Sequence, residues 1–295
     1  MLRHTFQHIP GVGEKTEKRI WAAGLTTWQE FLNAPHSAPL PQWQWDAICF
    51  ELEASLTSLE KKDAAYFTQR LPSRLHWRLY PEFAERVAYL DIETTGLSAG
   101  YSYITVIGLY DGTAPRVYVR GQNLYQFVRD IQDYTLLVTY NGRQFDLPFI
   151  RAEMGIPLSQ AHVDLRYPLA ALGYKGGLKK IERFLGLERE GPLALLDGWC
   201  AVLLWQHYKQ GEERALETLL RYNLEDVLHL PTLLAMVYNT RVQRLPFSLP
   251  LAAVAPPPPV PFAFDASLIY RVLAETGRGG LVETLDHEQK VGNGK

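Results

Sequence analysis

The sequence predicts an α/β fold in which a mixed β-sheet is flanked by helices, with a small all-α region before it. Three observations lead there. Tryptophans crowd into the first 80 residues, short apolar runs bounded by turn residues fill roughly 86–140, and helical spacing of apolar residues dominates from Phe145 onward.

Taken in order, residues 1–80 carry Trp21, Trp28, Trp43, Trp45 and Trp77, enough aromatic surface to argue for a packed helical domain. Within it, Pro10-Gly11-Val12-Gly13 precedes a helical stretch. Two glycines around one apolar residue allow a tight turn whose N–H groups, with the next helix N-terminus, can take a phosphate oxygen. Lys15, Lys18 and Arg19 are placed to assist. A plain glycine turn between packing helices, or a hairpin used for protein contact, is the competing reading. No Gly-Lys-Ser/Thr follows, so this is not a P-loop.

Residues 81–244 alternate strand-like and helix-like segments. Arg86–Ile92, Tyr103–Tyr110, Arg116–Arg120 and Thr135–Tyr140 read as strands, the last ended by the Asn141-Gly142 turn, and Gln122–Gln132 has helical spacing. Residues 245–295 begin with a proline-rich stretch that can neither continue a helix nor enter a central strand. Phe264–Thr276 reads as one more short helix, and the tail from Gly277 as loose.

The chain has 295 residues, 47% hydrophobic and 21% charged, which excludes wholesale disorder and collagen. A net charge of −2 excludes a strongly basic nucleic-acid-wrapping protein, though not a local basic groove. Two cysteines far apart, Cys49 and Cys200, suit a reducing compartment. No apolar run approaches the roughly 18 residues of a membrane helix and the N-terminus lacks a signal-peptide pattern, so a cytoplasmic protein without a membrane partner is expected.

The chemistry begins in VAYLDIETTGL, residues 87–97. Asp91 and Glu93 are two apart, so on a strand both project from one face. Carboxylates so placed at the end of an apolar run repel each other and resist desolvation, and Mg²⁺ is the usual compensation. A strand end turning into solvent, with both acids hydrated, is the alternative. In TYNGRQFDLPFI, residues 139–150, Asp146 falls where a helix starts. It would either cap that helix or, at the same end of the sheet as Asp91, hold a second ion. Asn141 would either reach the substrate backbone or stabilise its own turn.

In RYNLEDVLHL, residues 221–230, Tyr222 and Asp226 share one helix face at i, i+4. A hydroxyl one turn from a metal-holding carboxylate can orient, or help deprotonate, an attacking water. A buried tyrosine and a surface acid would give the same spacing. Glu225 points about 100° away from Asp226. His162 and Asp164 could be ligands at i, i+2, but lack a third partner and otherwise serve as strand-end hydrogen-bonding groups. Lys175, Lys179, Lys180 and Arg183 form a basic cluster, either a solvated helix face or a contact for substrate phosphates.

Asp91-Ile92-Glu93-Thr94, then NGRQFD, then YNLED resemble the three exonuclease motifs of the DEDD superfamily in its tyrosine-bearing branch. That branch has the ribonuclease-H-like fold also found in the proofreading domains of family-B DNA polymerases. Within it the chain is similar to the YprB-like group of exonucleases, over roughly 85–240. The histidine-bearing branch has histidine where this chain has Arg221. The resemblance implies that Asp91, Glu93, Asp146 and Asp226 hold two divalent ions, Mg²⁺ or Mn²⁺, roughly 4 Å apart, while Tyr222 orients the water. It also implies 3′–5′ hydrolysis of nucleic acid, with DNA favoured over RNA. The turn at Gly11 and Gly13 resembles a helix-hairpin-helix element, which implies that these glycines and Lys15 grip the nucleic-acid backbone; from their own positions, Asn141 at its turn and Lys179 in its basic cluster are further candidate contacts. A non-catalytic nucleic-acid-binding adaptor and a small-phosphoester hydrolase are the alternatives.

Overall fold

A computed structural model describes residues 1–34, 36–187 and 189–277. The tail read as loose therefore lies outside the described residues beyond Gly277. The centre is a five-stranded sheet in the order β3-β2-β1-β4-β5. β1 (Val87–Thr94), β2 (Ile104–Tyr110) and β3 (Pro115–Val119) form an antiparallel meander. β4 (Leu136–Thr139) joins the other side of β1 in parallel, and β5 (Ala161–Asp164) extends the sheet from β4, also in parallel.

The alternation of β1 divides its side chains between two layers. Ala88, Leu90 and Ile92 pack with Phe127, Leu147 and Ile150 on one face. Val87 and Tyr89 on the other face join Leu136, Val138, Ala161 and Val163 beneath the N-terminal helices and the helix Leu230–Val242. Further along that second face stand Asp91 and Glu93, where the helix Glu213–Leu228 crosses β1 and β2. Gly108, opposite Asp91, permits this crossing: a Cβ there would collide with Asn223 Oδ1 and stand 3.1 Å from Val227 Cγ2.

The N-terminal region consists of the helices Glu14–Ala22, Trp28–Asn33, Gln42–Glu60 and Ala64–Arg70. Thr27 and Glu30 form a capping box at the second of these. Trp21, Trp28, Trp45 and Trp77 are buried, whereas Trp43 is 70% exposed. Phe31 and Trp45 stack at 4.0 Å. Their cluster is continuous with the sheet, so the hydrophobic core runs from Met1 through β1, β4 and β5 to Val242.

Two elements differ from expectation, at 122–132 and at β5, whereas the proline-rich stretch is extended as its composition predicts. The segment 122–132 forms not one helix but a 3₁₀ turn at Leu124–Gln126, an α-turn at Phe127–Asp130 and a 3₁₀ turn at Ile131–Asp133. Only Phe127 and Ile131 are fully buried there, too narrow an apolar stripe to propagate a helix. β5 lies in a stretch where helical spacing dominates the reading and only the strand-end reading of His162 and Asp164 points to a strand, because its four residues are all buried and leave no alternation to detect. The proline-rich segment is extended and anchored, since the Asn239 amide donates to Ala252 O and accepts from Ala252 N at 3.0 and 2.8 Å. Beyond it the helix Ala266–Glu275, capped by Asp265, buries Leu268, Ile269, Val272 and Leu273. None of the described helices is long and apolar enough to cross a membrane.

Candidate active site

β1 pairs with β4 only as far as Tyr89, so its last residues project beyond the parallel ladder. Ile92 N–H, left without a strand partner on that side, donates to Asp146 Oδ1 at 3.2 Å. This bond ties the start of the helix Asp146–Met154 to the acidic end of β1. A bulge between Glu93 and Thr94 ends the regular pairing with β2.

Asp226 descends from the crossing helix onto the same spot. Ligand oxygens of Asp91, Glu93 and Asp226 all lie within 4.8 Å of one another. They open into a cleft of about 730 Å³ that Asp146 and Tyr222 also line. Leu97, Phe145 and Trp199 form apolar walls, with Trp199 half exposed and Leu97 at the mouth.

Crowding makes this cluster costly to ionise. Burial first, and then Asp146, Asp226 and Glu93, hold Asp91 well above the ordinary carboxylate range. Burial and Asp226 do the same to Glu93. Asp146 is pushed up to about 7, chiefly by burial. Hard oxygen donors that resist ionising without a counter-charge fit a divalent cation.

Two cations of the chain already answer part of that charge. Arg189 grips Glu182 through two hydrogen bonds of 2.8 and 2.9 Å and also donates to Asp226 Oδ1. Burial alone would lower its guanidinium, but Asp226 and Glu182 raise it. His229 Nδ1 contacts Glu182 at 2.9 Å, completing a buried network behind the cleft. Lys179 donates to Tyr222 Oη at 2.8 Å and to Leu196 O, its ammonium 4.2 Å from the tyrosine ring centre. Burial, then Asp226 and Glu93, raise the Tyr222 hydroxyl far above its usual range, so it stays neutral and acts as a hydrogen-bonding group.

Lys179 thus departs from both readings of its basic cluster. It turns inward because Tyr222 and a free carbonyl offer it partners, while Lys175, Lys180 and Arg183 stay exposed. Asn141 has a left-handed backbone at φ 68°. Its N–H donates to Asp164 Oδ1 at 2.7 Å and its side-chain oxygen accepts from Arg166. Asp164 also accepts from Arg143 N and Arg166 N, while His162 pairs with Thr139, so both residues build the loop that shapes the cleft. Glu225 pairs with Arg221 at 3.0 Å, outside the acidic cluster.

Gly11, Gly13 and Lys15 are exposed and do not line the cleft. Gly11 has φ 79° and Gly13 caps the helix Glu14–Ala22, preceded only by the 3₁₀ turn Leu2–His4. Sequence reasoning missed Arg189 and Asn223. Arg189 hides between Glu188 and Glu190, in what reads as a surface charge run. Asn223 lies inside YNLED, yet its donation to Asp91 Oδ2 depends on how the helix crosses the strand.

No curated protein sequence matches the chain. Among solved structures, the family B DNA polymerase from the hyperthermophilic archaeon Pyrobaculum calidifontis is similar at 19% identity and a TM-score of 0.40. The similarity covers 52% of this chain and 26% of the polymerase chain. The family model of the RNase H superfamily matches residues 88–238, which begin in β1 and end in the helix after Asp226. With the 3-2-1-4-5 sheet and the acids of β1 facing those of the crossing helix, that match shows that the chain belongs to the RNase H superfamily.

Proposed function

We propose that the chain is a metal-dependent 3′–5′ exonuclease acting on nucleic acid, DNA in the first instance. The observation that supports this most is the convergence of Asp91, Glu93 and Asp226 within 4.8 Å beside Tyr222. Asp91, Glu93, Asp146 and Asp226 would hold two divalent cations, Mg²⁺ or Mn²⁺, which when bound polarise a phosphoryl oxygen and make water a better nucleophile.

The chain's own groups do the rest. The neutral Tyr222 hydroxyl, fixed from one side by Lys179, has its proton free to orient a water in the cleft. Trp199 and Phe145 offer faces on which terminal bases can stack. The exposed hairpin of Gly11, Gly13 and Lys15, in a helical domain of residues 1–80, would hold backbone phosphates without reading sequence. Polarity and the preference for DNA rest on the motif resemblance.

A second reading, a nucleic-acid-binding protein without catalysis, draws on Arg189 already neutralising one of the three acids. The test offers 5′-labelled DNA and RNA oligonucleotides, single- and double-stranded, with and without Mn²⁺. A ladder shortening from the 3′ end, abolished by Asp91→Ala in a folded protein, is expected. Internal cuts from the outset would reject the exonuclease assignment, and no turnover at all would favour the second reading.

A further inference from the structure

Away from the acidic cleft, three segments bring an excess of positive charge to one cavity. Lys18 comes from the helix Glu14–Ala22, Arg74 and Arg78 from the 3₁₀ segment Ser73–Leu79, and Arg241 and Arg244 from the end of the helix Leu230–Val242. They line a cavity of about 380 Å³ together with only two acids, Glu14 and Glu17.

Both acids are already engaged. Glu14 pairs with Lys18 at 2.7 Å, and Glu17 with Arg78 at 2.8 Å. Glu17 also accepts from the backbone of Phe6 and Gln7 and from the Gln7 amide, so it has nothing left to offer. Apart from backbone bonds such as Arg244 N–H to Arg241 O, the side chains of Arg74, Arg241 and Arg244 have no ion-pair or hydrogen-bond partner among the described residues. Arg241 Nε and the Trp77 indole N–H, in two residues that line this cavity, are shielded from solvent and unpartnered among the described residues. Three unpaired guanidinium groups around one cavity repel one another beyond what the field of Glu14 offsets, and an anion would relieve them. Arginine's planar fork matches a phosphate in particular.

The surroundings indicate which phosphate. A second cavity, of about 650 Å³ and lined by Arg166 and Lys175, shares Tyr140 and Asn141 with the acidic cleft. It is also lined by Ala170, the chain neighbour of Ala171 in the arginine cavity. Cations beside the cleft and in the nearby arginine cavity suit a linear polyanion better than a free ion.

We propose that the cavity of Arg74, Arg241 and Arg244 binds backbone phosphates of a nucleic-acid strand whose end enters the acidic cleft. The proposal rests on the nuclease reading for the placement of that end, but it is tested by binding alone. Fluorescence anisotropy of a labelled single-stranded DNA 16-mer, in EDTA and across a salt series, compares the full-length wild type with Arg241→Gln/Arg244→Gln and with Arg74→Gln. Arg74 is exposed and unpartnered, so the single variant remains informative should the double variant misfold.

Each lost contact should lower the slope of log affinity against log salt by about 0.7, so the slope falls by roughly 1.4 in the double variant. Affinity at low salt should drop about tenfold or more. Wild-type affinity and slope in folded variants would overturn the proposal. So would an unaffected oligonucleotide combined with calorimetric binding of inorganic phosphate that only the wild type shows, since that marks a small-anion site. Wild-type protein that hydrolyses DNA while the variants bind normally refutes the arginine site and spares the nuclease. Arginine-dependent binding without hydrolysis does the reverse.

Discussion

Asn223 Nδ2 donates to Asp91 Oδ2 at 3.0 Å, so the residue between Tyr222 and Leu224 fastens the crossing helix to the acidic strand. The contact requires the absence of a side chain at Gly108, directly across the ladder from Asp91. Gly108→Ala should push the helix outward and cost about 1–3 kcal/mol, as overpacking of a tight contact does. Denaturant melts would show this. Mn²⁺ titration should reveal weakened binding, because Asp226 moves with the helix.

Arg189→Met leaves Glu182 with His229 alone and Asp226 without its cation. Removing one partner of a buried ion network costs about 3–5 kcal/mol. Part of that loss should return when Mn²⁺ is added, since an ion would neutralise Asp226 and not Glu182. Equal melting with and without Mn²⁺ would refute a compensating role for Arg189.

Tyr222→Phe keeps the ring over Lys179 and deletes only the hydroxyl. Turnover should fall by about 10²–10⁴, the usual range for a lost proton-handling group, with KM little changed. Steady-state kinetics on a 3′-recessed DNA substrate would separate the two parameters.

Metal affinity should rise with pH. Asp91, Glu93 and Asp146 all titrate above their ordinary range, Asp146 at about 7, so protons compete with the ion below that pH. For a carboxyl raised on folding, stability is fully present below its unfolded pKa and is lost as pH rises through the folded value. For Asp146 the metal-free protein surrenders that contribution between about 4 and 7, and the melting shift produced by Mn²⁺ should grow from pH 6 to pH 8. His8 and His162, pushed down to about 3 mainly by burial, have the opposite sign. Each withdraws about 1.4 kcal/mol per pH unit below 6.5, with or without metal, so comparing the two melts at each pH isolates the acids.

What could be read from the chain follows from the range of the interactions involved. Asp91 and Glu93 share a face because strand periodicity is local, and the YNLED helix is recognisable from spacing within a single turn. β5 shows in the sequence only as the strand end at His162 and Asp164, because four wholly buried residues carry no period. Lys179 turned inward, and Arg189 found Asp226, through contacts spanning 43 and 37 residues that no local pattern encodes. Trp43, exposed, and Trp45, stacked on Phe31, are two apart on one helix and so point to opposite faces.

The shared core of the N-terminal helices and the sheet bears on how the protein comes apart. A strand face covered by residues from the first 80 positions cannot keep its packing once those helices leave, so melting should be all-or-none. A single calorimetric transition follows, and a cavity as remote as Phe31→Ala should bring the acidic cleft down at the same lowered temperature. Evolution of the sheet half and of the helical half is then constrained jointly: a loss of stability in either is a loss for both.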